Sequence, residues 1–126
     1  MAGDYSFPKL IEPGAGEKLM SDEATYELDG HIATITYNRP ESLNAINGAM
    51  RECLNAAWLE FYNDPEAWVA ILTGAGRAFC AGADLRPGQG NSAGSWSGSY
   101  FEIPTVNSFE SGLELWKPTI AAVNGA

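Results

Sequence analysis

The sequence predicts a mixed α/β fold, on three observations. Two β-rich runs flank Asp29-Gly30, an amphipathic stretch extends from Asn47 to Phe61, and a continuous apolar run follows at residues 68–73. A hairpin, a helix and a buried strand in that order call for a sheet covered by a helix.

Residues 1–23 carry Pro8, Pro13, Gly14 and Gly16 among scattered charges. With neither period 2 nor period 3.6, they read as an extended or mobile leader, and the domain proper as 24–126. In ATYELDGHIATITYNRP, Tyr26 and Leu28 precede Asp29-Gly30, and Ile32, Thr34 or Ile35, and Tyr37 follow it. Asp-Gly between alternating apolar residues is a strong short-range hairpin signal. Arg39-Pro40 stops the second strand. Met50, Leu54, Ala57, Trp58 and Phe61 then recur at helical spacing, with Asn47 as the N-cap. Asn63-Asp64-Pro65 ends that helix. The run from Trp68 to Thr73, bounded by Gly74, has the pattern of a strand buried on both faces.

Residues 86–104, RPGQGNSAGSWSGSYFEIP, form a Gly/Ser-rich segment with the composition of a long functional or mobile loop. A second helix is expected over Thr105–Trp116, with Val106, Phe109, Leu113 and Trp116 on one face. Lys117-Pro118 closes it, and Thr119 to Val123 reads as another buried strand.

Composition narrows the function. Across 126 residues, 7 Lys and Arg stand against 16 Asp and Glu, a formal charge of −9. The overall field therefore repels nucleic-acid backbones and anionic membrane surfaces, and no nucleic-acid partner is expected. A small anionic ligand remains compatible, because clustered backbone N–H groups bind anions locally. No apolar run reaches the ~18 residues of a membrane span, and the N-terminus lacks a signal-peptide pattern. Two cysteines, Cys53 and Cys80, both in apolar surroundings, point to a reducing, cytoplasmic setting and to buried small hydrophobes. No metal-ligand spacing is present.

The segment GRAFCAGADL, Gly76 to Leu85, offers main chain and almost no reactive side chain. Ala83-Asp84-Leu85 is a plausible start of a helical turn, whose free N–H groups carry partial positive charge. The residues alone leave two readings open: a backbone anion-binding turn, or a tight strand-to-helix connection. A dinucleotide fingerprint fails on the spacing of Gly74, Gly76 and Gly82, and a phosphate-binding P-loop fails because position 83 is Ala where Lys is required.

Three motifs in register, NRPESLNAIN (38–47), VAILTGAGRAFCAGADL (69–85) and KPTIAAVNGA (117–126), resemble the enoyl-CoA hydratase/isomerase, or crotonase, superfamily. The resemblance covers roughly residues 25–126. It implies the first half of a spiral of ββα units, assembled as trimers or pairs of trimers and acting on acyl-CoA thioesters. No separate cofactor is implied, since coenzyme A is part of the substrate. The shared chemistry is stabilisation of a thioester enolate by two backbone N–H groups. By the resemblance Ala83 supplies one of them, and Leu43, Ala45, Ala81, Ala83, Asp84 and Leu85 line the CoA cleft. The family's second donor and its acidic catalytic residues match positions beyond Ala126, so these 126 residues alone are expected to be inactive. Losing a donor typically costs about 2.7–4 kcal/mol of transition-state stabilisation, and an acid/base group about 10²–10⁴-fold in rate. Hydration of an enoyl-CoA is the leading activity. An isomerase, a carnitinyl-CoA-type dehydratase, a thioester hydrolase, or a non-catalytic CoA-binding or interaction module are the alternatives.

The remaining polar residues take plainer expectations. Asp84 is read as complementing a helix dipole more than as an acid. His31 is expected on the surface. Arg39 and Arg77 are candidates for CoA phosphates, with Arg39 mainly a turn residue. Glu52, Glu60, Glu110 and Glu114 belong on solvated helix faces, and Trp96, Tyr100 and Phe101 could cap an acyl pocket or pack on a neighbouring subunit.

Overall fold

A computed structural model describes residues 22–87 and 115–126. The leader up to residue 21, most of the Gly/Ser segment with Trp96, Tyr100 and Phe101, and the expected second helix through Glu114 lie outside the described residues. Of that helix, only Leu115 and Trp116 are described, and neither is helical.

The chain forms β1 (Ala24–Asp29), β2 (Ile32–Tyr37), a short 3₁₀ turn (Pro40–Ser42), α1 (Gly48–Asn63), β3 (Val69–Gly74) and β4 (Thr119–Ala122). The four strands make one sheet in the order β1-β2-β3-β4. β1 and β2 pair antiparallel with Asp29 opposite Ile32, leaving a two-residue turn in which Gly30 takes φ +58°. That left-handed position is what Gly admits at little cost. β2 and β3 run parallel, with Ile35 opposite Leu72, and α1 supplies the crossover that a parallel pair needs. β3 and β4 are also parallel.

One face of the sheet carries the core. Ala33, Ile35 and Tyr37 alternate inward from β2, choosing between the two alternations the sequence offered, and Ile32 is left half exposed. They meet Met50, Leu54, Ala57, Trp58 and Phe61, the predicted helical stripe, all of them buried. Complete burial of a side chain such as Phe61 or Ile35 contributes about 1.5–3 kcal/mol. Asn47 caps α1 as expected: its side chain accepts the Met50 N–H at 2.8 Å, a contact typically worth ~1 kcal/mol. At the other end Lys117 Nζ donates to the Phe61 and Asp64 carbonyls, both at 2.6 Å, and sits 4.8 Å over the Phe61 ring. A cation on carbonyls that lack intrahelical partners is favourable by charge and by hydrogen bonding.

Two strand expectations are corrected. β3 begins at Val69, and only Ala70 in it is fully buried. A helix covers one face, whereas Val69, Ile71 and Thr73 point to the other, where no layer stands among the described residues. β4 is exposed at every position, because β3 is its sole neighbour among those residues. Trp68, outside the strand, is 60% exposed and stacks on His31 with ring centres 3.6 Å apart and planes 2° from parallel. His31 is half-buried, and its Nδ1 donates to the Glu66 carbonyl at 2.7 Å, so it anchors the hairpin turn and is not a free surface side chain. Cys53 is buried, while Cys80 is only half-buried.

Candidate functional site

The parallel strands β2 and β3 both end on the same side, and the segments that leave them, 38–47 and 75–86, meet there. The first enters through the 3₁₀ turn and then passes two residues in the left-handed region, Leu43 at φ 51° and Asn44 at φ 56°. Such a conformation costs a non-glycine residue roughly 1–2 kcal/mol. Asn44 offsets that cost with its side chain. Fully buried, it accepts the Arg39 N–H at Oδ1 (2.8 Å) and donates from Nδ2 to the carbonyls of Ala75 (2.9 Å) and Ala78 (2.8 Å).

The second segment lies alongside the first. Ala81 N–H donates to the Leu43 carbonyl at 3.0 Å, Ile46 N–H to the Gly82 carbonyl at 2.8 Å, and Asp84 N–H to the Ile46 carbonyl at 2.9 Å. Ile46 and Ala83 thus form a one-residue parallel bridge. Gly82 adopts φ +98°, and a Cβ there would meet nothing within 4 Å, so glycine is required for conformation and not for space. In this bridge Ile46 bonds to the residues on either side of Ala83, which turns the Ala83 N–H away from the 42–46 segment. Ala83 is exposed, and no acceptor takes its N–H among the described residues.

The six residues expected to line the cleft are therefore on two adjoining segments. Leu43 and Ala45 belong to the first, and Ala81, Ala83, Asp84 and Leu85 to the second. Leu43 is 36% and Leu85 92% exposed, so each segment presents apolar surface to solvent.

Asp84 corrects an expectation. No helix starts over residues 83–87, so there is no dipole for it to complement. Its buried carboxylate instead joins two guanidinium groups: Arg86 donates from Nε at 2.9 Å and Nη2 at 2.6 Å, and Arg39 from Nη1 at 3.2 Å. The hydrogen bonds from Arg86 above all, with that from Arg39 and against the opposing effect of desolvation, hold the Asp84 carboxyl far below the usual carboxylate range. The same pairing raises Arg86. Arg39 is also corrected. Its side chain is 7% exposed and committed to Asp84, to the Ala45 carbonyl and, at 3.6 Å, to Glu23, so it is not available to a phosphate. Arg77 is exposed on the turn after β3.

Asn44, Arg86 and Asn124 were not singled out from the sequence. For Asn44 a signal existed, since Asn is among the few non-glycine residues at home in the left-handed region. Asn124 accepts the Gly74 N–H at 3.1 Å and donates to the Gly76 carbonyl at 3.0 Å, tying the end of β4 to the same turn. No group of three or more His, Cys, Asp or Glu positioned to hold a metal occurs among the described residues, and none of their helices is long and apolar enough to cross a membrane.

Residues 27–126 match the enoyl-CoA hydratase/isomerase family. An enoyl-CoA hydratase of Mycobacterium tuberculosis is 38% identical over 109 residues, which are 82% of this chain and 39% of that protein. Among solved structures, an enoyl-CoA hydratase/isomerase from Mycobacterium paratuberculosis is 41% identical with a TM-score of 0.62, over 82% of this chain and 38% of the other. A carnitinyl-CoA hydratase from Mycobacterium avium is 36% identical with a TM-score of 0.63, over 83% and 40%. The chain spans about two fifths of the length of the proteins it matches.

Proposed function

This chain belongs to the enoyl-CoA hydratase/isomerase family, and on that premise we propose that it contributes the CoA-thioester cleft and one oxyanion donor of a hydratase acting on 2-enoyl-CoA. The observation that carries this reading is the outward Ala83 N–H. It is exposed, has no acceptor among the described residues, and lies on a segment paired with the one that carries Leu43.

An N–H fixed before the reaction stabilises charge on a thioester oxygen as the enolate forms, with no reorganisation at that moment. In hydration, water adds across the 2,3-double bond. Oxygen bonds to C3, the electron pair moves through C2 toward the thioester oxygen, and a proton then returns to C2. Ala83 would hold the oxygen in that sequence, and CoA enters as part of the substrate. The groups that deliver water and proton are not assigned to any residue described in this chain. Assembly around a threefold axis belongs to the same reading.

Replacing Ala83 by proline tests it. The ladder bonds flanking Ala83 use the Gly82 carbonyl and the Asp84 N–H, so proline removes the outward donor and no bridge bond. The expected result is a loss of about 2- to 10-fold in affinity for acetyl-CoA, the size of one hydrogen bond. Affinity for free CoA, which has no thioester carbonyl, should be retained. Unchanged thioester affinity in a variant that keeps its Ile46 and Asp84 amide signals would rule Ala83 out as donor.

A further inference from the structure

We propose that Arg39 is a positioning residue that aims the Ala83 N–H, acting through Ala45 and Asp84; the proposal rests on the donor role given to Ala83 above. One nitrogen, Arg39 Nη1, contacts both the Ala45 carbonyl and Asp84 Oδ2. Ala45 immediately precedes Ile46, and Asp84 immediately follows Ala83, the two partners of the parallel bridge. The guanidinium therefore spans the bridge and ties together the residues that flank it.

That clamp matters because the bridge is short. A single-residue bridge held by a few backbone hydrogen bonds, each of modest net strength, leaves the peptide plane at 82–83 with little local support. Gly82, at φ +98°, adds freedom on the N-terminal side of that plane. Arg39 itself is fixed. Its backbone N–H is held by Asn44, Pro40 follows it, its side chain is almost fully buried, and the Glu23 and Glu41 carboxylates stand 3.6 and 4.0 Å from Nε. A planar fork reaches the acceptors at fixed angles, which an ammonium on a flexible stem does not reproduce. Arg86 approaches Asp84 from the exposed side, so the carboxylate keeps a cationic partner when Arg39 is altered. Arg39 and Arg86 thus divide the work: Arg86 neutralises the carboxylate and reaches the Ser42 hydroxyl at 3.1 Å, at the far end of the 42–46 segment, whereas Arg39 joins the carboxylate to the Ala45 carbonyl, next to the bridge itself.

Amide NMR of the 126-residue chain, titrated with acetyl-CoA and separately with free CoA, tests the proposal in the wild type, Arg39→Lys and Asp84→Asn. In the wild type the Ala83 amide is expected to respond more to the thioester than to CoA. Arg39→Lys should keep the CoA-dependent shifts of Leu43 and Ala81, and both variants should lose about half or more of the thioester-specific shift at Ala83, as a misaimed donor would. A full-sized thioester-specific shift in both variants overturns the positioning role. So does a loss of native signals throughout the chain in both, which would make Arg39 a folding residue. A wild type in which Ala83 shows no thioester-specific response removes the donor itself, and the positioning proposal falls with it. That failure is distinct because it is seen before any substitution is made.

Discussion

The helix-covered face of the sheet and the loop cluster at the strand ends are held together by different physics. Between β1, β2 and α1, stability comes from apolar contact: Ile35, Met50 and Phe61 are fully buried. At the strand ends, Asn44, Arg39 and Asn124 hold main chain by directed hydrogen bonds across 30 to 50 positions of sequence. Apolar burial tolerates small displacements. Hydrogen bonds lose strength steeply with angle, so a site that must present an N–H in one direction is better held by the second kind of contact.

Three perturbations should separate the two regions. The largest effect is expected from Phe61→Ala, which removes a fully buried ring from the core and the surface under Lys117. It should cost about 3–5 kcal/mol in denaturant unfolding, with protection lost throughout the sheet. A loss confined to the end of α1 would show that the core is not one cooperative unit.

Asn44→Ala should cost less, about 2–4 kcal/mol, by leaving the Ala75 and Ala78 carbonyls and the Arg39 N–H without their partner. Its signature is regional: faster hydrogen exchange at the Ala81 and Asp84 amides, with Ile35 and Leu72 little changed. Equal acceleration in both places would erase the distinction between the regions.

The smallest effect is the pH dependence of Asp84. Its carboxyl is held below the ordinary value, so its contribution to stability is fully present above the unfolded value of about 4 and is lost as pH falls through and below it. The melting temperatures of wild type and Asp84→Asn should therefore differ near pH 6 and converge as pH drops below about 4. A gap of constant size down to pH ~2 would mean that the Asp84 charge contributes nothing to holding the two segments.

How much of this was legible depended on the range of the signal. The hairpin at Asp29-Gly30, the Asn47 cap and the Met50-to-Phe61 stripe each reside within a few consecutive residues, and each stands where expected. The adjacency of SLNA and CAGADL was legible only by resemblance to a family, and the bridge between Ile46 and Ala83 gives it a geometry. The helical turn expected at Ala83-Asp84-Leu85 did not form. The Asp84 side chain turns inward to Arg39 instead, 45 residues away in sequence, and no local pattern announces such a partner. The apolar runs at 68–73 and 119–123 correctly marked strands, yet apolar composition cannot state what covers each face. Trp68 fell outside β3 and found its contact in the His31 ring.

By itself the sequence determined the hairpin, α1 and the later strands in their order, because periodicity, caps and turn residues act over a few positions and need no partner beyond them, and the resemblance of its three motifs pointed to the family. Tertiary structure alone decided which alternation of β2 faces α1, that Arg39 and Asp84 are buried together, and that the Ala83 N–H points outward. Those outcomes depend on which distant donor meets which acceptor. That pairing exists only once the sheet has brought the ends of β2 and β3 side by side.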